Sequence, residues 1–251
     1  MKTLIAISLL CLAPLSAAIA QTCSKQSPNY TVALVELYTS EGCSSCPPAD
    51  RALGALQKAA KADLAVPLAL HVDYWDYIGW TDRFAKPGFT QRQRWQADVS
   101  GSHAVYTPEM FVGGRELRDW PDALGTDIAG INRQPPRADI GIRLGSANGG
   151  KLPVQVDTKA AAGAKLYIAL YESGLSSNVG AGENSGVVLR HDYVVRDWIG
   201  PIALESGGSS VSTRALTVPP SSVIKQLGVA AFVQDHAGAI LQALALPLCG
   251  G

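Results

Sequence analysis

Cys43 and Cys46 are the residues whose type and spacing suit a reaction, two thiols three positions apart. Such a pair can close a small disulfide and reopen it, with a thiolate as the attacking species. Both lie in the stretch Val32–Asp50, VALVELYTSEGCSSCPPAD, between an apolar run and Ala49–Ala62, which is rich in helix formers. A strand, a turn carrying both thiols and a helix are expected in that order. Backbone N–H groups at a helix N-terminus stabilise a thiolate and lower a cysteine pKa. Cys43 is therefore expected to be the exposed nucleophile and Cys46 the resolving thiol. Pro47 and Pro48 disfavour helical conformation at Cys46 and Pro47. The helix is expected to begin near Pro47 and to activate Cys43 only moderately. A permanent structural disulfide is the plainer alternative. A zinc site would need four ligands, and no second Cys-x-x-Cys exists.

Other residues offer less specific chemistry. His71 and Asp73 fall on one face of a predicted strand, where they can move protons, bind a metal, or serve as satisfied core groups. Tyr74, Trp75, Tyr77, Trp80 and Trp95 either line a peptide groove near the thiols or form a satellite core. His191 and the charges over Arg190–Arg196 are assigned to a face of a β-sandwich.

The elements that must position these groups follow from periodicity. Val66–Trp75 alternates as a strand, so strand, helix and strand argue for parallel neighbours with a right-handed crossover. Tyr74–His103 is too long for a simple connection and reads as a partly helical insertion, with helix over Phe89–Val99. Pro108 opens a short apolar strand, Gly113-Gly114 signals a hairpin, and a helix is expected over Asp122–Ile131. Asn132–Arg137 reads as a linker. Beyond it come short alternating segments around Ile140, Val154, Ile168, Val187–Val195, Val211–Val218, Val229–Val233 and Ile240–Leu246. Asp235–Gly238 is a hairpin signal between the last two. This predicts an all-β sandwich. Gly174–Gly186, GLSSNVGAGENSG, reads as a flexible loop.

Whole-chain properties bound the function. The 251 residues carry 21 Lys and Arg against 21 Asp and Glu, which argues against nucleic acid or an anionic membrane surface as a partner. Residues 1–20 have the pattern of a signal peptide: Lys2, an apolar Leu4–Leu15, and Ala18-Ile19-Ala20 as a cleavage site. The apolar run is too short to span a bilayer, and no lipid-anchored cysteine is expected at Cys23. The mature chain, starting at Gln21, is expected in the periplasm or outside the cell. Cys11 would leave with the signal, and Cys23, Cys43, Cys46 and Cys249 remain. An even number in an oxidising compartment suggests pairing. If Cys43 and Cys46 pair locally, Cys23 pairs with Cys249 by elimination.

The order of strand, Cys-x-x-Cys, helix, parallel strand, then Thr107-Pro108 before a third strand resembles the thioredoxin-like fold. The resemblance implies a cis Pro108 beside the thiols and Thr107 as the residue whose backbone pairs with a bound peptide. It also implies Glu36 as a buried acid assisting proton transfer, although its spacing to the first cysteine differs by one residue. The fuller strings VELYTSEGCSSCPPAD, ALHVDYWDYIGW and VYTPEMFVGGR resemble a narrower family of secreted bacterial thioredoxin-like proteins, catalogued as a domain of unknown function. That likeness spans most of the mature chain and is specific at the N-terminal motifs.

These readings combine into an α/β thioredoxin-like domain over 28–132, with an aromatic insertion, followed by an all-β sandwich domain over 137–251. The expected activity is that of an exported thiol–disulfide oxidoreductase. It would act on protein or peptide thiols, with or without a redox partner protein. Cys43, Cys46, Thr107, Pro108 and Glu36 form its site, with no cofactor and no membrane span. Two alternatives stand beside it. One is a non-enzymatic scaffold or binding module with a structural disulfide. The other is a thioredoxin-like copper carrier that uses the two thiols with His71 or His103, since soft thiolates and imidazole suit copper.

Overall fold

The computed structural model describes residues 23–58, 63–102, 104–204 and 207–249. The expected signal segment 1–20 and His103 lie outside them. In chain order the strands and helices are β1 (Cys23–Gln26), β2 (Ala33–Thr39), α1 (Pro47–Lys58), β3 (Ala65–His71), α2 (Pro87–Ser100), β4 (Glu109–Val112), β5 (Arg115–Glu116) and α3 (Trp120–Asn132). Then follow β6 (Asp139–Leu144), β7 (Lys151–Ala160), β8 (Ala164–Glu172), β9 (Leu175–Asn178), β10 (Val188–His191), β11 (Val194–Leu204), β12 (Gly208–Thr217), β13 (Leu227–Gln234) and β14 (Ile240–Pro247).

The expectation of a thioredoxin-like domain followed by a separate sandwich is wrong. β14, β13, β8, β11, β3, β2, β4 and β5 hydrogen-bond in that order into one eight-stranded mixed sheet. The join is β11 against β3, parallel at Val194↔Ala69, with the Ala69 N–H donating to the Tyr193 carbonyl at 2.8 Å. An exposed β3 edge would carry unpaired backbone groups; β11 pairs with it at this rung. The second sheet, β1-β6-β7-β12, also mixes the two ends of the chain, because β1 pairs antiparallel with β6. Among the described residues the fold is mostly β, with three α-helices.

Side-chain alternation explains the layers. Leu166, Ile168 and Leu170 of β8 and Val229, Ala231 and Val233 of β13 meet Ile140, Ile142, Val154 and Val156 of the second sheet. The opposite faces of β8 and β13, with Tyr167, Ala169 and Phe232, share a core with β2, β3, α1 and α2. β2 and β3 are buried along their whole length, as parallel strands covered on both faces are. At the β4–β5 turn, Gly114 has φ 89°, and a Cβ there would lie 1.9 Å from the Gly238 carbonyl oxygen. Only glycine fits where these two hairpin turns meet.

Cys23 and Cys249 are disulfide-bonded, with Cα atoms 5.7 Å apart and a sequence separation of 226. The bond fastens β1 to the end of the chain. β2 and β3 run parallel in register from Ala33↔Ala65 to Thr39↔His71, so both C-terminal ends open toward the N-terminus of α1. Ligands and reactive groups in α/β sheets collect outside such strand ends, and the candidate site lies there.

Candidate functional site

Cys43 and Cys46 form a disulfide in the turn between β2 and α1, with Cα atoms 5.4 Å apart. α1 begins at Pro47. Local backbone bonds set the turn: the Cys43 N–H donates to Ser40 O, and the Cys46 N–H donates to Cys43 O, both at 3.2 Å. The Ser45 hydroxyl lies 3.3 Å from Cys43 Sγ, within reach to donate to that sulfur as a thiolate. A Cβ on Gly42 would come within 3.1 Å of Ile78 Cδ1 and 3.2 Å of Trp75 Cβ. Trp75 and Ile78 therefore wall the turn.

Both sulfurs are covered. Cys43, expected to be exposed, is fully buried, as is Cys46. Residues 179–187, which join β9 to β10 in a two-stranded ribbon, are hydrogen-bonded over the cysteine turn. Asn184 is buried and its Nδ2 donates to the carbonyls of Glu41 at 2.9 Å and Cys43 at 3.0 Å. Glu183 Oε2 accepts from the Ser44 N–H at 2.9 Å and the Ser44 hydroxyl at 2.8 Å. These Ser44 donors hold the exposed Glu183 carboxyl below the usual glutamate range. Gly182, at φ 74°, presses on Ile78, whose Cδ1 would lie 2.8 Å from a Cβ there. The segment expected to be a flexible loop is in part strand β9, and its tip is a lid on the cysteine turn.

Behind the turn is a buried cluster of titratable groups. His71 Nδ1 lies 2.6 Å from Asp82 Oδ2, with both side chains fully inaccessible. Asp82 also accepts the N–H groups of Glu41 and Phe84, each at 2.9 Å. Burial opposes ionisation of Asp82, but His71 and these donors outweigh it and hold the carboxyl below its ordinary value. Burial would likewise lower the His71 pKa, yet the charge and hydrogen bond of Asp82 raise it, helped by Asp50 and Glu41. The Trp80 indole donates to Glu41 Oε2 at 2.7 Å, and His191 Nε2 lies 3.3 Å from Glu41 Oε1. Burial works against the Glu41 carboxylate, but these neighbours bring its pKa below the ordinary value. The rings of His71 and His191 meet edge to face at 5.1 Å. His71 Nε2 and both ring nitrogens of His191 are buried without a hydrogen bond. Asp50, one turn into α1, has its amide N–H bonded to the Cys46 carbonyl at 3.1 Å. Burial raises its carboxyl pKa, against the opposing charges of His71 and His191.

The other expected site residues divide. Thr107–Pro108 is a cis peptide. Thr107 Oγ1 accepts from the Trp75 indole at 2.7 Å, which ties it to the wall of the cysteine turn. The register Tyr38↔Glu109 sets Pro108 one rung on, opposite the end of β2. Glu109 beside it is buried, and burial pushes its carboxyl up to about 7 despite a hydrogen bond from Gln93. Glu36 is buried too, but Arg92 Nε donates to its Oε1 at 2.6 Å, so its carboxylate belongs to an ion pair with α2. His71 and Asp73 do not act together: His71 bonds Asp82, while Asp73 accepts from Thr90. His191, assigned above to a sandwich face, is buried at the cluster. Tyr77 is 83% exposed, Trp75 and Trp80 belong to the site, and Trp95 lies elsewhere, against Arg92. Among the described residues, no three His, Cys, Asp or Glu side chains converge in an arrangement that would hold a metal ion.

Sequence reasoning passed over Asp50, Glu41, Asp82, Glu183 and Asn184. Asp50 was within reach, because Cys46, Asp50 and Leu53 fall on one helical face and Leu53 is an obvious core residue.

Residues 34–234 match a family model described as "Protein of unknown function (DUF1223)". No curated protein matches the sequence. The crystal structure of protein AGR_C_4864 from Agrobacterium tumefaciens is similar, with TM-score 0.61 and 28% identity over 86% of this chain and 94% of that one. HBP35 of Porphyromonas gingivalis has TM-score 0.67 and 16% identity over 88% of this chain and 76% of that one, a likeness of fold.

Proposed function

We propose that this chain, which belongs to the DUF1223 family of proteins of unknown function, is an exported thiol–disulfide oxidoreductase. It acts on protein or peptide thiols through Cys43 and Cys46. The observation that supports this reading best is the placement of the disulfide between the N-terminus of α1 and a buried set of proton-carrying groups. Exchange needs a thiolate to leave and a proton to follow it. Both requirements have candidates here.

In the oxidised form, a substrate thiolate attacks Cys43 Sγ, the Cys43–Cys46 bond breaks, and Cys46 leaves as a thiolate. Asp50, one turn along α1 from Cys46 and with its carboxyl pKa raised by burial, is the group assigned to protonate the departing Cys46 thiolate. A second substrate thiol then attacks the mixed disulfide and releases Cys43. Two electrons pass from the substrate dithiol to the pair, and the reverse sequence oxidises the pair at the expense of a substrate disulfide. The Ser45 hydroxyl is placed to stabilise the Cys43 thiolate. Attack on Cys43 requires the 179–187 lid to lift.

Residence in an oxidising compartment agrees with all four of Cys23, Cys43, Cys46 and Cys249 being paired. No helix among the described residues is long and apolar enough to cross a membrane. The burial of both sulfurs favours a second reading, a structural disulfide on a binding scaffold.

Trapping separates the two. Cys46→Ala should accumulate mixed disulfides through Cys43 when expressed with native export, and Cys43→Ala should accumulate none. Equal recovery from both variants, or none from either, would favour the structural disulfide.

A further inference from the structure

Away from the disulfide, α2, β8 and β11 enclose an open cavity of about 490 Å3. Its walls are aromatic: Phe89 and Trp95 from α2, Tyr167 from β8 and Trp198 from β11. Mutual contacts hold Phe89, Tyr167 and Trp198 in place, and Trp95 lies against Arg92. Phe89 and Trp198 meet edge to face at 6.2 Å, and Tyr167 lies 5.6 Å from Trp198. The guanidinium of Arg92 sits 4.7 Å from the Tyr167 ring and 5.0 Å from the Trp198 ring, closing the floor.

The polar lining is of one sign. Lys86 and Lys165 border the cavity with Arg92, and no carboxylate does. The carboxylates near these cations are engaged elsewhere. Glu36 is spent on Arg92. Asp197, the acid that acts on Lys86, accepts the N–H groups of Trp198 at 2.9 Å and Thr217 at 2.6 Å. Lys86 donates to the Arg196 carbonyl, which fixes its ammonium group at the rim. Lys165 has no ion pair among the described residues. It shares a strand face with Tyr167, two residues on, and so belongs to the α2 side of the sheet. A concave space of this size with apolar walls and a few convergent polar groups has the build of a small-molecule site. Flat walls favour a flat guest, because aromatic rings pack on one another at defined offsets. Lys165, unpaired among the described residues, with Lys86 beside it at the rim and no carboxylate in the lining, favours an anion.

We propose that this cavity binds an aromatic carboxylate: its ring stacks between Trp95 and Trp198, and its carboxylate is held by Lys165 and Lys86. The proposal stands apart from the chemistry assigned to Cys43 and Cys46.

The full exported protein, with both disulfides intact, is titrated with 2-naphthoate while tryptophan fluorescence and heat are recorded. A saturable one-to-one isotherm is expected. The neutral analogue 2-naphthamide should bind about tenfold more weakly, as loss of a charge-assisted hydrogen bond requires. Lys165→Gln should weaken naphthoate to a similar degree while leaving naphthamide unchanged, and its partly exposed position makes it a mild substitution for folding. Trp95→Phe should reduce the fluorescence change and keep most of the heat. Failure to saturate at millimolar naphthoate would overturn the proposal. So would equal binding of acid and amide, or equal naphthoate affinity in wild type and Lys165→Gln.

Discussion

Replacing Asn184 by Ala should make the Cys43–Cys46 bond markedly easier to reduce. Asn184 Nδ2 gives the lid two hydrogen bonds, to the Glu41 carbonyl at 2.9 Å and the Cys43 carbonyl at 3.0 Å. Each is worth about 1 kcal/mol net. Both exist only while the lid is closed, so their loss shifts the closed-to-open equilibrium by about 2 kcal/mol. At about 1.4 kcal/mol per factor of ten, the open population rises roughly 30-fold. A reductant reaching Cys43 through the open state reports that population directly. The assay adds dithiothreitol, quenches with acid at timed points, alkylates, and reads each cysteine peptide by mass spectrometry. The Cys43–Cys46 rate should rise by that factor, while the Cys23–Cys249 bond, at the chain ends, serves as internal control. A change of less than about threefold in a natively folded variant would show that the lid does not govern access, and the argument from its two hydrogen bonds would fail.

Three further outcomes follow from other contacts. Glu183 has its carboxyl pKa lowered by Ser44 donors in the closed lid. Its stabilising effect is therefore complete above the ordinary glutamate value of about 4.3 and is lost as pH falls through the lowered one. Reduction by a phosphine, which works in acid, should accelerate over that range, and Glu183→Gln should remove this part of the pH dependence. Arg92→Met strands the buried Glu36 carboxylate, which should cost about 3–5 kcal/mol in urea denaturation. The double variant Glu36→Leu with Arg92→Met should recover much of that loss; no recovery would contradict the ion-pair account. Replacing Cys23 and Cys249 together by Ser should destabilise the oxidised protein by up to about 5 kcal/mol, the chain-entropy value for so long a loop. Unchanged stability would show that the unfolded chain is not loosened by opening that loop.

Much of the site's frame was legible in the sequence, and the reasons are local. The apolar run into Thr39, the two cysteines and Pro47 fix a strand, a turn and a helix start through propensity and sterics alone. The same holds for the helix over Phe89–Val99, which lies within α2, and for the Asp235–Gly238 turn between β13 and β14. Strand partners were not legible. Alternation tells which residues share a face, but not that Val194 of β11 would sit beside Ala69 of β3. For that reason one continuous sheet was read as two domains. The lid was hidden for a different reason. Gly174–Gly186 has the composition of a mobile loop, and its position depends on single side chains, Asn184 and Glu183, whose partners lie about 140 residues away in sequence. His191 carried a weak signal: it alternates with the buried Leu189 along β10, which places both on the inward face.

The central claim is that Cys43 and Cys46 exchange disulfides, and the reduction potential of that pair tests it most directly. The protein is equilibrated with dithiol buffers of graded potential, and the fraction of reduced Cys43 and Cys46 is read by alkylation and mass spectrometry. An exchange-active pair should titrate between roughly −120 and −270 mV. A midpoint below about −300 mV, the range of structural disulfides, would contradict the account.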